Sequence, residues 1–201
     1  MNKFFAILLV FFQVISYAQN MKNIDKSIVG EVEIISGIPI YMYAVPADDY
    51  ENSGKAITMG NIIKIVLNEE NSLSKKLKEA IEKASERNAM GKTADFDALE
   101  IRVSKERAFG VKYKGENTLK AYIEKVHNIP VFIYSKPVKE YSVVAEMPAN
   151  FSKKAARGLL HDKIKSMLKL TLEKQEKGAI GQFDAVIINP DDLSETLIKF
   201  K

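Results

Sequence analysis

One segment of this chain occurs twice, and that constrains the fold more than any other feature. Ile38-Pro39-Ile40-Tyr41-Met42-Tyr43-Ala44-Val45-Pro46 returns 91 residues later, conservatively altered, as Ile129-Pro130-Val131-Phe132-Ile133-Tyr134-Ser135-Lys136-Pro137, and Tyr50 matches Tyr141 at the same spacing. Further on, Gly91 corresponds to Gly178, Phe96-Asp97-Ala98-Leu99 to Phe183-Asp184-Ala185-Val186, and Lys112-Tyr113-Lys114 to Lys199-Phe200-Lys201, now 87 residues apart. Matched blocks in one order are the mark of a duplicated unit whose copies bury surface against each other. The fall in spacing puts extra residues in the first copy around Gly60 to Asn71, where a surface loop tolerates insertion. The expected units are residues 31–114 and 121–201, joined near Gly115 to Thr118.

Each unit reads as β-β-α-β-β. In the opening strand, Ile38, Ile40 and Met42 alternate with Tyr41 and Tyr43, and Ile129, Val131 and Ile133 alternate with Phe132 and Tyr134. Pro46 and Pro137 interrupt it, and Lys55 to Met59 or Tyr141 to Met147 reads as the returning strand. A helix follows. Leu73, Leu77, Ala80, Ile81 and Ala84 form one apolar stripe, as do Ala156, Leu160, Ile164, Met167 and Thr171. Ser72 and Ser152 suit the N-cap, and Gly91 and Gly178 the left-handed C-cap. Glu79 with Lys83 and Glu173 with Lys177 are spaced for helix-surface pairs. Phe96 to Val103 and Phe183 to Asn189 are strand-like, and Asn189-Pro190-Asp191-Asp192 is a turn leading to the last strand. Ile62 to Leu67 fits either strand or early helix. The fold class expected is α+β: two tandem repeats, each with one helix packed on a mostly antiparallel sheet.

Before residue 19 the chain has a different character. Lys3 precedes an apolar run from Phe4 to Phe12, and Ser16-Tyr17-Ala18 places small residues on both sides of a bulky one. That is the layout of a secretory signal peptide, residues 1–18, which is too short in its apolar part to span a bilayer. No transmembrane segment is expected after cleavage, and the expected location is periplasmic or secreted. The chain has no cysteine, which is compatible with an oxidising compartment and excludes disulfides, thiol nucleophiles and thiolate metal sites. Lysine and arginine exceed aspartate and glutamate by 30 to 26, and these charges are interspersed. Nucleic acid is therefore not an expected partner, because tracking phosphates needs a concentrated positive stripe.

Few constellations suggest chemistry. His127 and His161 do not correspond between the copies; His161 aligns with Ser74, lies off the apolar stripe and reads as a solvated surface residue. Asp48-Asp49-x-Glu51 and Asp191-Asp192-x-x-Glu195 read as surface turn carboxylates without the spacing of a calcium loop. Asp97 and Asp184 recur at equivalent points and read as caps on backbone N–H groups. Lys153, Lys154 and Arg157 form the densest basic patch, a solvated helix face that an anionic lipid or polysaccharide could also engage. Nucleotide-loop, nucleophile-elbow and zinc-helix motifs are absent from the sequence, so no cofactor or metal and no catalytic residue is nominated.

The strand Phe183-Asp184-Ala185-Val186-Ile187 after a helix resembles the Gly-Ala-Asp-Ala-Val-Ile signature of YbjQ-like domains and of the Rcs envelope-stress lipoproteins. Pro137-x-x-x-Tyr141-x-x-x-Ala145 resembles their opening strand, where glycine is usual and this chain has Gly54 and Ala145. The resemblance implies an exported tandem α/β domain that binds or senses something. With no cysteine, neither the lipoproteins' disulfides nor their lipid anchor carries over.

Two functions compete. One is a non-catalytic binding or sensing module of the envelope, with an envelope protein or a glycan as partner. Its site would be the aromatic face formed by Tyr41, Tyr43, Phe132 and Tyr134, unless those rings pack as the core between the repeats. The other is a hydrolase of envelope polymers using a carboxylate pair such as Asp97 and Asp184. The signal-peptide reading has a direct check: the exported protein should have an intact mass beginning at Gln19, and retention of residues 1–18 would overturn it.

Overall fold

A computed structural model of the chain describes residues 24–58, 73–92, 94–105, 107–156 and 158–201. The signal-like segment, Ser72, the insertion around residues 60–71 and the ambiguous Ile62 to Leu67 lie outside the described residues. In chain order the strands are β1 (Ile24–Val32), β2 (Ile34–Ile35), β3 (Ile38–Met42), β4 (Ala44–Pro46) and β5 (Tyr50–Thr58). Helix α1 (Leu73–Ala89) follows, then β6 (Ala98–Arg102), a 3-10 turn (Val103–Lys105) and β7 (Arg107–Tyr113). The rest comprises β8 (Lys120–Val126), β9 (Ile129–Phe132), β10 (Ser135–Pro137), β11 (Tyr141–Met147), α2 (Lys153–Ala156), α3 (Leu160–Glu176), β12 (Ala185–Ile188) and β13 (Glu195–Phe200). The protein is mixed α+β, with more strand than helix.

The strands run in the order β2-β3-β6-β7-β5 in one sheet and β10-β1-β8-β9-β12-β13-β11 in the other, with β4 beside β8. Within them β3 lies parallel to β6 and β9 parallel to β12, while the remaining neighbours are antiparallel. Two strands at the centre, β1 and β8, start before the segments read as opening strands, so 31 falls inside β1 and is not a boundary. They cross antiparallel with Gly30 opposite Ala121. Each then accepts a short strand from the other half of the chain. The β4 strand pairs with β8, setting Ala44 against Ile123, and β10 pairs with β1, setting Ser135 against Val32. A single bridge joins Met42 to Ile133.

Two cores result, one on each side of the sheets. The larger takes the helix stripes, Leu73, Leu77, Ala80, Ile81 and Ala84 from α1 with Leu160, Ile164, Met167 and Leu168 from α3. The smaller packs Val32, Tyr41, Ala44, Ala98, Val111, Ala121, Ile123, Phe132, Ala185 and Ile198. Its lining alternates along the strands with that of the larger core, as Leu99 and Ile101 face one way and Ala98 the other. In the smaller core the Tyr41 and Tyr113 hydroxyls meet at 2.7 Å. The matching positions are Phe132 and Phe200, so both hydroxyls are missing together and no buried polar group is stranded.

Helix ends explain where the stripe reading fails. Gly91 and Gly178 do adopt positive φ, at 65° and 70°, and the following residues bond back to Arg87 and Lys174 in the 6→1 pattern of a Schellman cap. Ser152 caps the short α2, accepting from the Ala155 N–H at 3.2 Å, rather than the long helix. Around Gly158 the chain breaks before α3 starts at Leu160, and Ala156 is exposed instead of continuing the stripe. Neither expected surface pair closes; Glu173 approaches Lys169 at 4.0 Å.

At the crossing, Gly30 is required by space. A Cβ there would sit 2.9 Å from Ile123 Cδ1 and 3.2 Å from both the Lys136 carbonyl oxygen and Phe132 Cε1. Gly30→Val is expected to cost about 2 kcal/mol or more by overpacking the strand crossing. A thermal melt checks it, with Gly115→Ala, which meets nothing within 4 Å, as the control expected to melt like the parent.

Candidate functional site

The aromatic face expected from strand alternation does not exist as a surface. Tyr41, Tyr43, Phe132 and Tyr134 are exposed by only 0, 2, 0 and 3%, so all four are core rings. They also divide between the two cores. Tyr41 and Phe132 lie in the smaller, Tyr43 and Tyr134 in the larger, because Tyr43 and Tyr134 both take φ of 53° and the period-two count stops there. Asp97 and Asp184 cap as expected: their carboxylates accept the Tyr113 and Phe200 N–H groups at 3.0 and 2.9 Å. Asp97 also holds Lys112 at 2.8 Å, and neither aspartate lines a cleft described below.

The acidic turns are structural too. Asp48 accepts the Thr118 N–H at 2.8 Å, and Asp192 accepts that of Ser194 at 2.8 Å. Glu195, however, is not a surface turn residue, being 1% exposed. Thr171 donates to one of its oxygens at 2.7 Å, its other oxygen has no partner among the described residues, and burial pushes its pKa up. The corresponding positions in the first half are Ala84 and Ala108. Lys153 and Lys154 are exposed on α2. No group of three or more His, Asp or Glu among the described residues is arranged to hold a metal ion.

What the structure assembles instead is a cleft of about 310 Å³ where β4, β6 and β8 meet α3. Its polar lining includes Glu100 and Arg102 from β6, Ser104 after it, Glu124 and Lys125 from β8, His127 and Asn128 after that strand, His161 and Lys165 from α3, and Tyr43. His161 and Lys165 are four residues apart and therefore share a helix face. Apolar surface comes from Ala44, Val45, Ile101 and Val126.

Most of these groups are already satisfied. Glu100 is 4% exposed, and Arg102 grips it with two bonds, Nε to Oε1 at 2.5 Å and Nη2 to Oε2 at 2.9 Å. The guanidinium is held from its other side by the Phe109 ring, 4.3 Å from the centroid. At the rim, Lys125 is tied to Asp25 at 2.7 Å. The Tyr43 hydroxyl lies 2.7 Å from His161 Nδ1, with the rings 15° from parallel. That buried hydroxyl has no other acceptor among the described residues, so hydrogen-bond accounting assigns its proton to the bond with Nδ1. His161 then carries its own proton on Nε2, and burial lowers its pKa, keeping the ring neutral.

Glu124 is the exception. Its backbone N–H donates to the Tyr43 carbonyl at 2.7 Å, yet its half-buried carboxyl has no hydrogen bond or ion pair among the described residues. Burial, reinforced by the charge of Glu100 and opposed by Lys165, pushes its pKa up to about 7.

Counterpart positions in the other half are informative. Tyr134 takes the same φ and bonds Ser74 of α1 at 3.2 Å, as Tyr43 bonds His161 of α3, and Glu33 donates its N–H to the Tyr134 carbonyl as Glu124 does to that of Tyr43. Yet Glu100 is matched by Ile187, Arg102 by Asn189 and His161 by Ser74. The buried ion pair and the imidazole are therefore particular to one side. Sequence reasoning missed Glu100, Arg102 and Glu124, although the first two break the repeat pattern where the match is otherwise close.

Glu124 gives a pH test. Between its unfolded pKa, near 4.5, and its folded one, about 7, the folded protein keeps a proton that the unfolded chain has lost, so stability falls as pH rises through that window. Glu124→Gln removes the titration. The variant is expected to be more stable than the parent at pH 8, by about 2 kcal/mol, and equal to it near pH 4.5. Denaturant melts at both pH values measure this; a difference that does not change with pH would contradict the buried carboxyl.

Comparison with protein-family models, with curated proteins and with solved structures returns no match, so the cleft is read from its own geometry.

Proposed function

We propose that this protein is an exported, non-catalytic binding or sensing module of the bacterial envelope, made of two tandem YbjQ-like β-β-α-β-β repeats, and that the cleft is its ligand site. The observation that carries this is the state of the cleft's polar groups. Glu100, Arg102, Lys125 and the Tyr43 hydroxyl are held by other protein groups, whereas Glu124, His161 Nε2 and Lys165 have no partner among the described residues. A preformed concavity with a few unmade polar bonds is what a small-molecule site requires.

The repeat reading is supported by register. Gly30 and Ala121 are equivalent in the sequence match and face each other, as are Met42 and Ile133, which is the pairing a two-fold relation between the halves would produce. Export is supported by the Lys3 to Ala18 segment, and among the described residues no helix is long and apolar enough to cross a membrane. An envelope protein or glycan would then meet this module outside the cytoplasm.

The hydrolase reading finds two carboxylates in one cleft, with Glu124 poised near neutral pH as an acid. Against it stands Glu100, which is buried and bonded through both oxygens to Arg102, so it is held as an ion-paired carboxylate rather than as a free base or nucleophile. Incubated with cell-wall polysaccharide, the protein should release no reducing ends above the background of Glu124→Gln. Native mass spectrometry of the protein recovered from the envelope should show a small-molecule adduct that His161→Phe weakens. Release abolished by Glu124→Gln would instead establish the hydrolase.

A further inference from the structure

The charges that line the cleft do not cancel where they stand. Glu100 is neutralised by Arg102 and Lys125 by Asp25, which leaves Glu124 on the β8 wall and Lys165 on the α3 wall. These two have opposite sign and line one concavity, yet no ion pair within 4.0 Å joins either of them to a partner among the described residues. Beside Lys165, one turn away on the same helix face, His161 presents the Nε2–H that its bond to Tyr43 assigns. Glu124 therefore offers an acceptor on the β8 side, where Lys125 is already paired and His127 and Asn128 follow the strand, while Lys165 and His161 offer donors on the α3 side.

We propose that the cleft takes a small zwitterion, a free α-amino acid, with its ammonium on Glu124 and its carboxylate on Lys165 and His161 Nε2–H. This rests on the reading of the cleft as the ligand site. A simple anion could use Lys165 and His161 but would lie close to Glu124; a simple cation could use Glu124 but would face Lys165. Only a ligand carrying both charges, in the right order, meets each wall with its complement. The Ala44, Val45, Ile101 and Val126 surfaces suit a modest apolar side chain, and the volume of about 310 Å³ is at the small end of ligand sites.

The test titrates the exported protein with L-valine, L-valinamide and N-acetyl-L-valine at pH 8, where Glu124 is ionised. The readouts are calorimetry and the imidazole resonances of His161. The chain has only two histidines, and because His127 also lines the cleft they are assigned by the signals that disappear in His161→Phe. Valine is expected to move the His161 signals and to bind about tenfold or more tighter than either half-charged analogue. Glu124→Gln and, independently, the exposed Lys165→Met should each weaken valine by about fivefold or more. Equal binding of valinamide or N-acetylvaline, with His161 still shifting, would overturn the zwitterion and leave the cleft as the ligand site. If none of the three shifts His161, both the zwitterion and the cleft reading fall.

Discussion

Everything in this fold depends on the antiparallel crossing of β1 and β8. Neither helix covers the smaller core, whose rings and methyls face away from α1 and α3. That face is covered because Val32 on β1 and Ala121 and Ile123 on β8 lie across it, each strand extended by a short one from the other half. Burial of such apolar area is worth roughly 25 cal/mol per Å², so two strands that serve both halves stabilise both. The price is local: the crossing admits no Cβ at residue 30.

The reciprocal arrangement also explains how an uneven site arises on an even frame. At Tyr43 and Tyr134 the left-handed backbone turns a ring out of the strand's alternation and toward the opposite half's helix, giving two equivalent tyrosine–helix contacts. One contact ends on serine and remains a packing detail. The other ends on histidine and opens beside a buried Glu100–Arg102 pair where its counterpart has Ile187 and Asn189. A buried ion pair is a weak source of stability, since desolvation offsets most of its attraction. Its presence on one side alone is better explained by the shape and polarity it gives the cleft floor.

Much of this was legible in the residues. The α1 stripe is buried as read and the α3 stripe is buried from Leu160 on, both glycine caps are left-handed, and Asp97 and Asp184 cap the backbone as their repeated position suggests. Local signals carry such features, and local signals survive into the fold. The start of β1 and β8 was not legible, because their pairing is between distant segments and their alternation is broken by Gly30 and by charged residues. Tyr41 and Phe132 lie opposite the aliphatic face as alternation requires, whereas Tyr43 and Tyr134 were misplaced for a specific reason: a single left-handed residue is invisible to a period-two count unless it is glycine. His161 looked like a surface residue because its partner, Tyr43, lies 118 positions away in sequence.

The exchange of short strands has a consequence for how the chain is made. Synthesis delivers residues 24–113 first, but β4 has no neighbour to pair with until β8 appears, and the outer side of β1 stays open until β10 does. An N-terminal half emerging alone would therefore carry an uncovered sheet face and two unpaired edges, the features that invite aggregation and chaperone capture. Closure comes late, through contacts distant along the chain, and folding of that kind is slow. The first half can thus form its own five-stranded sheet, but both faces of that sheet are covered only when the second half is in place.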